Sequence, residues 1–191
     1  RYIYPKIKQD SIIRFYFLGR IQYSKGLHNL LRAFDGIPTQ KYELHVFGDA
    51  YPARREQRYK RVIQKLANNK DVIFHGFVEN DQLPNLLKDM HVMIHTAIFH
   101  EVYGINISES LSFGHPVLAT KCGGPEMQIQ DGINGWLVNP NNIEVLREKI
   151  NYIIDNKLLL EEISSNCHCP NTLENYTKQL FELYHKLCNR Q

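Results

Sequence analysis

Short apolar runs alternate along the chain with longer segments in which apolar residues recur at helical spacing. Six such runs predict buried strands, at residues 12–18, 42–47, 72–75, 91–96, 116–119 and 135–138. Helical spacing predicts helices at residues 27–34, 53–68, 81–90, 143–155 and 172–187. Because parallel strands require crossover connections, this order predicts one doubly wound α/β domain, with a parallel sheet of about six strands and helices on both faces.

Turn residues mark the ends of several predicted elements. Gly19, Gly48 and Gly76 follow the first three strands, and Asn80 or Asp81 is expected to cap the helix that begins there. In an open parallel sheet, ligands bind outside the carboxyl ends of the strands. We therefore expect the binding site in the turns that follow the first four strands.

A further helix is predicted between the fourth and fifth strands, within the segment HEVYGINISESLSFGHP. It is expected to begin near Gly104 and to end at Gly114, because Pro116 prevents its continuation. Two glutamates, Glu101 and Glu109, lie in this segment. They are its only acidic residues, so each needs an explanation in a segment that is otherwise built for burial.

Glu109 lies in a row with Ile105 and Phe113 at four-residue spacing, and this predicts a largely buried helix. Burying an unpaired carboxylate is costly, so Glu109 is expected to have a partner. A nearby lysine is one candidate, and the hydroxyl groups of a bound ligand are the other.

Glu101 falls in the turn before this helix, where free N–H groups carry about half an elementary positive charge. Such a helix start binds anions, for example phosphate. The amides concerned belong to Tyr103, Gly104, Ile105 and Asn106. A sugar nucleotide would suit this arrangement, because it carries phosphates between two hydroxyl-bearing groups. The alternative for Glu101 is an ordinary loop carboxylate.

Composition limits the classes of function. The 191 residues are 43% hydrophobic and 23% charged, which is typical of a single globular domain. A net charge of +3, with basic residues spread along the chain, does not favour a nucleic-acid partner. Four cysteines at irregular spacing, without a secretory leader, predict free thiols and a cytoplasmic location. Because the chain begins with Arg1, it is expected to be part of a larger protein.

One basic run, PARREQRYKR at residues 52–61, leaves two interpretations open. The first is a solvated helix face. The second is peripheral contact with an anionic membrane surface or an acidic partner.

Five motifs together carry a resemblance to a known family. In chain order they are FLGRIQYSKG, LHVFGDA, FHGFVENDQLPNLL, HEVYGINISESLSFGHPVLATKCGGPE and DGINGWLVNP. Over about residues 12–154 the chain resembles retaining glycosyltransferases of the GT-B fold, the glycogen synthase-like and mannosyltransferase-like group with two glutamates separated by seven residues. The resemblance implies that residues 1–191 form the Rossmann-like C-terminal half of that fold, with residues 170–191 as a C-terminal helix and an N-terminal acceptor domain absent.

The resemblance also implies roles for individual residues. Arg20 and Lys25 would bind the diphosphate, Glu101 would orient the transferred sugar, and Glu109 would bind the ribose hydroxyls. Gly19 would lie against the donor, and the main chain near Val78 would border the base. The amides of the following residues would hold phosphate and sugar: Tyr103, Gly104, Ile105 and Asn106. The alternative for Arg20 and Lys25 is a solvated basic pair.

The implied reaction is the transfer of a sugar, with retention, from a UDP-sugar or GDP-sugar to a hydroxyl acceptor in polysaccharide biosynthesis. No Asp-x-Asp pair occurs in the sequence, so neither a metal nor another cofactor is expected. The domain alone is expected to bind donor and to transfer little or no sugar. A sugar-nucleotide epimerase or hydrolase and a non-catalytic nucleotide-sugar-binding module are the alternatives.

Some residues receive structural predictions only. Gly123 and Gly124 are expected to form a tight turn or to let the backbone approach a ligand. His91 and His95 are expected to be core neighbours without a function, and His115 to be a loop histidine.

Overall fold

A computed structural model describes residues 4–9, 11–68, 70–168 and 173–189. Its central feature is one sheet of six parallel strands in the order β3-β2-β1-β4-β5-β6. The strands are β1 Ile13–Leu18, β2 Tyr42–Phe47, β3 Val72–Gly76, β4 Val92–His95, β5 Val117–Thr120 and β6 Gly135–Val138. All six lie where the apolar runs predict them, and the doubly wound sheet is confirmed.

Helices cover both faces of this sheet. They are α1 Leu27–Ala33, α2 Arg54–Ala67, α3 Leu83–Leu87, α4 Ile105–Ser112, α5 Gly124–Gln128, α6 Ile143–Asp155, α7 Leu160–Ser165 and α8 Leu173–Cys188. Short 3₁₀ turns lie at Tyr23–Lys25, Thr39–Lys41 and Lys157–Leu159. The helices α5 and α7 were not predicted, because five or six residues are too few to establish a helical period.

Alternating side chains of the strands divide the core in two. In β1, Phe15 packs with Leu30 of α1 and Ile150 of α6 in one apolar cluster. Its neighbour Tyr16 belongs to the other cluster, with Ile107 of α4. Because successive side chains of a strand point to opposite faces, one strand serves both layers of helices.

The helix α3 is shorter than the prediction for residues 81–90. It begins at Leu83 after the N-cap Gln82, so the prediction of Asn80 or Asp81 as N-cap was wrong. Pro84 explains the shift, because proline lacks an N–H group and is tolerated in the first turn of a helix but not further in.

The C-terminal helix α8 lies within the predicted range 170–191. Residues 169–172 and 190–191 lie outside the described part of the chain. No residue of α8 is buried, and Leu173 and Phe181 are exposed by 82% and 64%. Among the helices that the structure describes, none has both the length and the apolar character that crossing a bilayer requires.

The strand order creates a crevice at the centre of the sheet. The chain leaves β1 towards β2 and β3 on one side, and it returns to β4 on the other side of β1. The segments that follow β1 and β4 therefore diverge at the carboxyl edge, which is where ligands bind in open α/β sheets.

Candidate functional site

A cleft of about 440 Å³ opens at the carboxyl ends of β1 and β4, and we call it the switch-point cleft. Nine of the ten predicted site residues line it: Gly19, Arg20, Lys25, Glu101, Tyr103, Gly104, Ile105, Asn106 and Glu109. The fold thus brings residues that are up to 90 positions apart in the sequence to one surface.

The tenth predicted residue, Val78, lines a second cavity of about 430 Å³. This cavity shares Leu18, Gly19 and Arg20 with the switch-point cleft, and it continues past the turn after β2. Its walls are mostly apolar, with Phe77 among them. The two cavities form one continuous groove across the carboxyl edge of β1, with Arg20 between them.

Arg20 lies against an aromatic ring at this junction. Its guanidinium carbon is 5.3 Å from the centre of the Tyr51 ring, and Nη1 donates a hydrogen bond of 3.3 Å to the Tyr51 hydroxyl. Such stacking stabilises a guanidinium without using its remaining N–H donors. Arg20 therefore keeps donors for an anion in the cleft.

Lys25 pairs with Glu101 across the cleft. The ammonium Nζ donates to Glu101 Oε2, and the same carboxylate oxygen lies 3.7 Å from Nε2 of His95. The His95 imidazole and the Lys25 ammonium hold the pKa of Glu101 at about 2, against the opposing effect of burial. Glu101 is therefore fully ionised at neutral pH.

The main chain of Glu101 is held from the opposite side by the loop after β5. Its N–H donates to Cys122 O at 2.8 Å, and its carbonyl accepts from Gly124 N at 2.6 Å. A Cβ atom on Gly124 would lie 2.4 Å from the carbonyl oxygen of Tyr103. The glycine at 124 is therefore required by close packing against the main chain of Tyr103, a reason that was not predicted.

The N-terminus of α4 faces the switch-point cleft. Gly104 is its N-cap residue with φ of 83°, a left-handed conformation that favours glycine, and no side chain among the described residues caps this end. Within the described residues, hydrogen bonds are not donated by the backbone N–H groups of Tyr103, Gly104, Ile105 and Asn106. This end of α4 can therefore accept an anion.

Two side-chain amides fix that helix start in place. Asn106 Nδ2 donates 2.6 Å to the carbonyl of Leu18 at the end of β1. Gln128 of α5 donates to the carbonyls of Tyr103 and Gly104. Sequence reasoning missed Gln128, because no local pattern shows which distant loop a glutamine will meet.

The carboxylate of Glu109 is unpaired within the described part of the chain. No ion pair or hydrogen bond involving its carboxylate occurs there, and burial alone raises its pKa. The alternative in which a lysine pairs with Glu109 therefore finds no support, whereas Glu101 is the glutamate with a lysine partner. A half-buried carboxylate that lines a cleft is suited to accept hydrogen bonds from ligand hydroxyls.

The prediction that α4 is largely buried was wrong for one face. Ile105 is 70% exposed, although Ile107 and Leu111 are fully buried. The reason is that only the second face packs on the sheet, whereas the face with Ile105 and Glu109 borders the cleft.

His91 and His95 are buried as predicted, whereas His115 differs from its prediction in part. His115 lies in the connection between α4 and β5, as predicted, but it is fully buried there and lies 2.9 Å from the Tyr16 hydroxyl. Burial, assisted by His91, lowers the pKa of His115 to about 3. His91 accepts a hydrogen bond of 2.9 Å from the Arg14 amide, and burial lowers its pKa to about 4. His95 is buried as expected, but it contacts the site through Glu101.

Residues 5–168 match the family described as Glycosyl transferases group 1. The chain belongs to this family. Lipopolysaccharide 1,6-galactosyltransferase of Salmonella typhimurium is 25% identical over 184 residues, which is 94% of this chain and 49% of that protein. The chain therefore spans about half the length of this curated relative.

Solved structures agree with this assignment. HepE of Anabaena in complex with UDP and glucose is 26% identical, with a TM-score of 0.80 over 91% of this chain and 48% of HepE. The C-terminal domain of the group 1 glycosyl transferase LpcC from Francisella tularensis shares the fold, with 23% identity and a TM-score of 0.68 over 87% of this chain and 92% of that one. The fold is thus that of GT-B glycosyltransferases.

Proposed function

We propose that this chain is the donor-binding domain of a retaining glycosyltransferase that moves a sugar from a UDP-sugar to a hydroxyl acceptor, a glycan or lipid-linked glycan. The observation that carries the proposal is the meeting of nine predicted residues in one cleft at the switch point of a group 1 domain. The HepE complexes with UDP and with UDP and glucose support UDP over GDP as the nucleotide.

In this proposal the donor lies along the groove formed by the two cavities. The base borders the main chain near Val78, in the more apolar cavity. Glu109 accepts hydrogen bonds from the ribose hydroxyls, which gives the unpaired carboxylate its partner. The diphosphate lies between Arg20, Lys25 and the N-terminus of α4, where cationic groups and free amides converge.

The chemical step in this proposal depends on stabilising the leaving group. The bond between the anomeric carbon and the diphosphate oxygen breaks, while the acceptor oxygen bonds to the same face of that carbon. The acceptor proton passes to a leaving phosphate oxygen. Arg20, Lys25 and the amides of α4 stabilise the charge that develops on the diphosphate, and Glu101 orients the sugar. No step assigned here requires a metal, and metal independence stays a prediction.

The acceptor site belongs, in this proposal, to a part of the protein outside residues 1–191, because the chain covers about half of its relatives. The chain by itself is then expected to bind the donor and to transfer little or no sugar.

The experiment that tests the proposal is a calorimetric titration of the chain with UDP, GDP and ADP and with their glucose, mannose and N-acetylglucosamine conjugates. Glu109→Ala and Arg20→Ala are expected to weaken binding roughly tenfold or more, because each removes charge-assisted hydrogen bonds. Glu148→Ala on α6 and Arg61→Ala on α2 remove exposed residues that line neither cavity, and they serve as matched controls. Binding that is indifferent to the nucleotide, or equally weakened by the controls, would refute the donor site.

A second assay separates transfer from its alternatives, and it uses the full-length protein. Conversion of UDP-sugar without any acceptor would indicate an epimerase or hydrolase. Unchanged turnover after Glu101→Ala would indicate a non-catalytic binding module. The proposal instead expects acceptor-dependent turnover that falls by orders of magnitude in this variant.

A further inference from the structure

His95 is a buried polar residue without an evident structural reason. It lies at the carboxyl end of β4 and is only 3% exposed. Among the described residues, neither of its ring nitrogens has a hydrogen-bond partner. Leaving such groups unpaired in the interior is costly, and most buried polar side chains are hydrogen-bonded. The imidazole therefore needs an explanation that packing does not give.

The position of the ring suggests one. His95 Nε2 lies 3.7 Å from Glu101 Oε2, slightly beyond hydrogen-bonding distance, and Lys25 already occupies that oxygen. A charge-assisted hydrogen bond is about 2.8 Å long, so closing the gap would take a movement of roughly 1 Å. His95 thus lies beside a carboxylate oxygen of Glu101 that already accepts a hydrogen bond from Lys25.

Binding of the nucleotide sugar would change which side chain is bound to the Glu101 carboxylate. Under the proposed function, Lys25 is needed by the diphosphate, yet in the structure its ammonium is bound to Glu101. If Lys25 moves to the diphosphate, the carboxylate loses its cation. The main chain of Glu101 stays in place, because the loop after β5 binds both its N–H and its carbonyl.

We propose that His95 is a positioning residue that takes over Glu101 from Lys25 when a nucleoside diphosphate binds. His95 then donates Nε2–H to Glu101 and keeps the carboxylate in place for the sugar. This inference rests on the proposed function, because it needs a diphosphate that draws Lys25 away.

The test uses UDP as the probe and three variants of the chain. His95→Gln keeps a donor near the position of Nε2, whereas His95→Phe keeps the ring size and removes the donor. His185→Gln, on the exposed helix α8, is the control. Thermal melts establish that each variant is folded before affinity is compared.

We expect UDP to bind His95→Phe roughly tenfold more weakly than the wild type, and His95→Gln to restore most of that loss. Long-range ¹H–¹⁵N spectra of the His95 ring should show a hydrogen-bonded Nε2 proton that appears only with UDP.

The contrary results are distinct from one another. If UDP binds but the His95 ring spectrum does not change, or if all His95 variants bind UDP as the wild type does, the takeover is refuted and the donor site stands. If UDP does not bind to the wild-type chain, the proposed function fails, and this inference fails with it.

Discussion

Replacing Glu101 with glutamine tests the electrostatics of the cleft without any ligand. Its side chain is only 22% exposed, it pairs with Lys25, and it has His95 Nε2 at 3.7 Å. Glutamine has nearly the same size but carries no charge. The substitution therefore removes the ionic interaction and leaves the packing in place.

The magnitude follows from the pKa of Glu101, which these neighbours lower from 4.5 to about 2. Such a shift corresponds to roughly 3 kcal/mol of interaction with the ionised form. Because the site opens to solvent, screening reduces this figure, and we expect Glu101→Gln to lose about 1–2 kcal/mol of unfolding free energy at pH 7.

The stability that Glu101 contributes should depend on pH in a defined direction. A carboxyl group whose pKa is lowered on folding stabilises the protein above its unfolded pKa, near 4.5, and loses this contribution as the pH falls towards 2. The difference in stability between wild type and Glu101→Gln should therefore be constant from pH 7 to about pH 5. At about pH 3 it should be roughly half as large.

Urea denaturation at several pH values measures this difference, with Glu148→Gln as the control because Glu148 is exposed on α6. Equal stability of wild type and Glu101→Gln at pH 7 would refute the reasoning. So would a difference that stays the same down to pH 3, because the cause would then be packing rather than charge.

Other parts of the structure give further predictions. Gly124→Ala should lower the melting temperature by more than Gly36→Ala, because a Cβ at 124 meets backbone at 2.4 Å, whereas a Cβ at Gly36 meets no atom and suffers only the strain of a left-handed φ of 82°; equal effects in thermal melts would contradict this. Tyr16→Phe should cost about 1 kcal/mol in urea denaturation, since it removes a buried hydrogen bond of 2.9 Å, and an unchanged midpoint would count against that bond. Iodoacetamide at pH 8 should modify the exposed Cys188 well before Cys167, where burial raises the thiol pKa to about 12; mass spectrometry of timed samples would reveal the reverse order.

Local patterns predicted the strands well, because each buried strand is a short apolar run that ends at a turn residue. The segment 42–47 was predicted with both ends correct, and Gly135–Val138 likewise. Patterns were weaker where a short element depends on its neighbours. The five residues of α5 are too few to show a helical pattern. Its last residue, Gln128, fixes the start of α4 from a distant part of the chain.

At the candidate site, too, some features could be read from the sequence and others required the structure. Glu101 and Glu109 could be singled out from the sequence, because carboxylates within an apolar segment require partners. Which of them has a lysine partner could not be read from the chain, since Lys25 is 76 positions away from Glu101. The contact of His95 with Glu101 was missed for a similar reason, as a histidine in a buried strand looks like any other core residue.

The sequence by itself determined the six strands and the longer helices, their order and the chemistry available at the carboxyl edge, because periodicity and turn residues are local properties of the chain. Only the tertiary structure decided which side chains meet. The order β3-β2-β1-β4-β5-β6 places the ends of β1 and β4 side by side, and that adjacency brings Lys25, His95 and Glu101 together. Charges and hydrogen bonds act over a few ångströms of space, so their pairing depends on where the fold places residues that are distant in sequence.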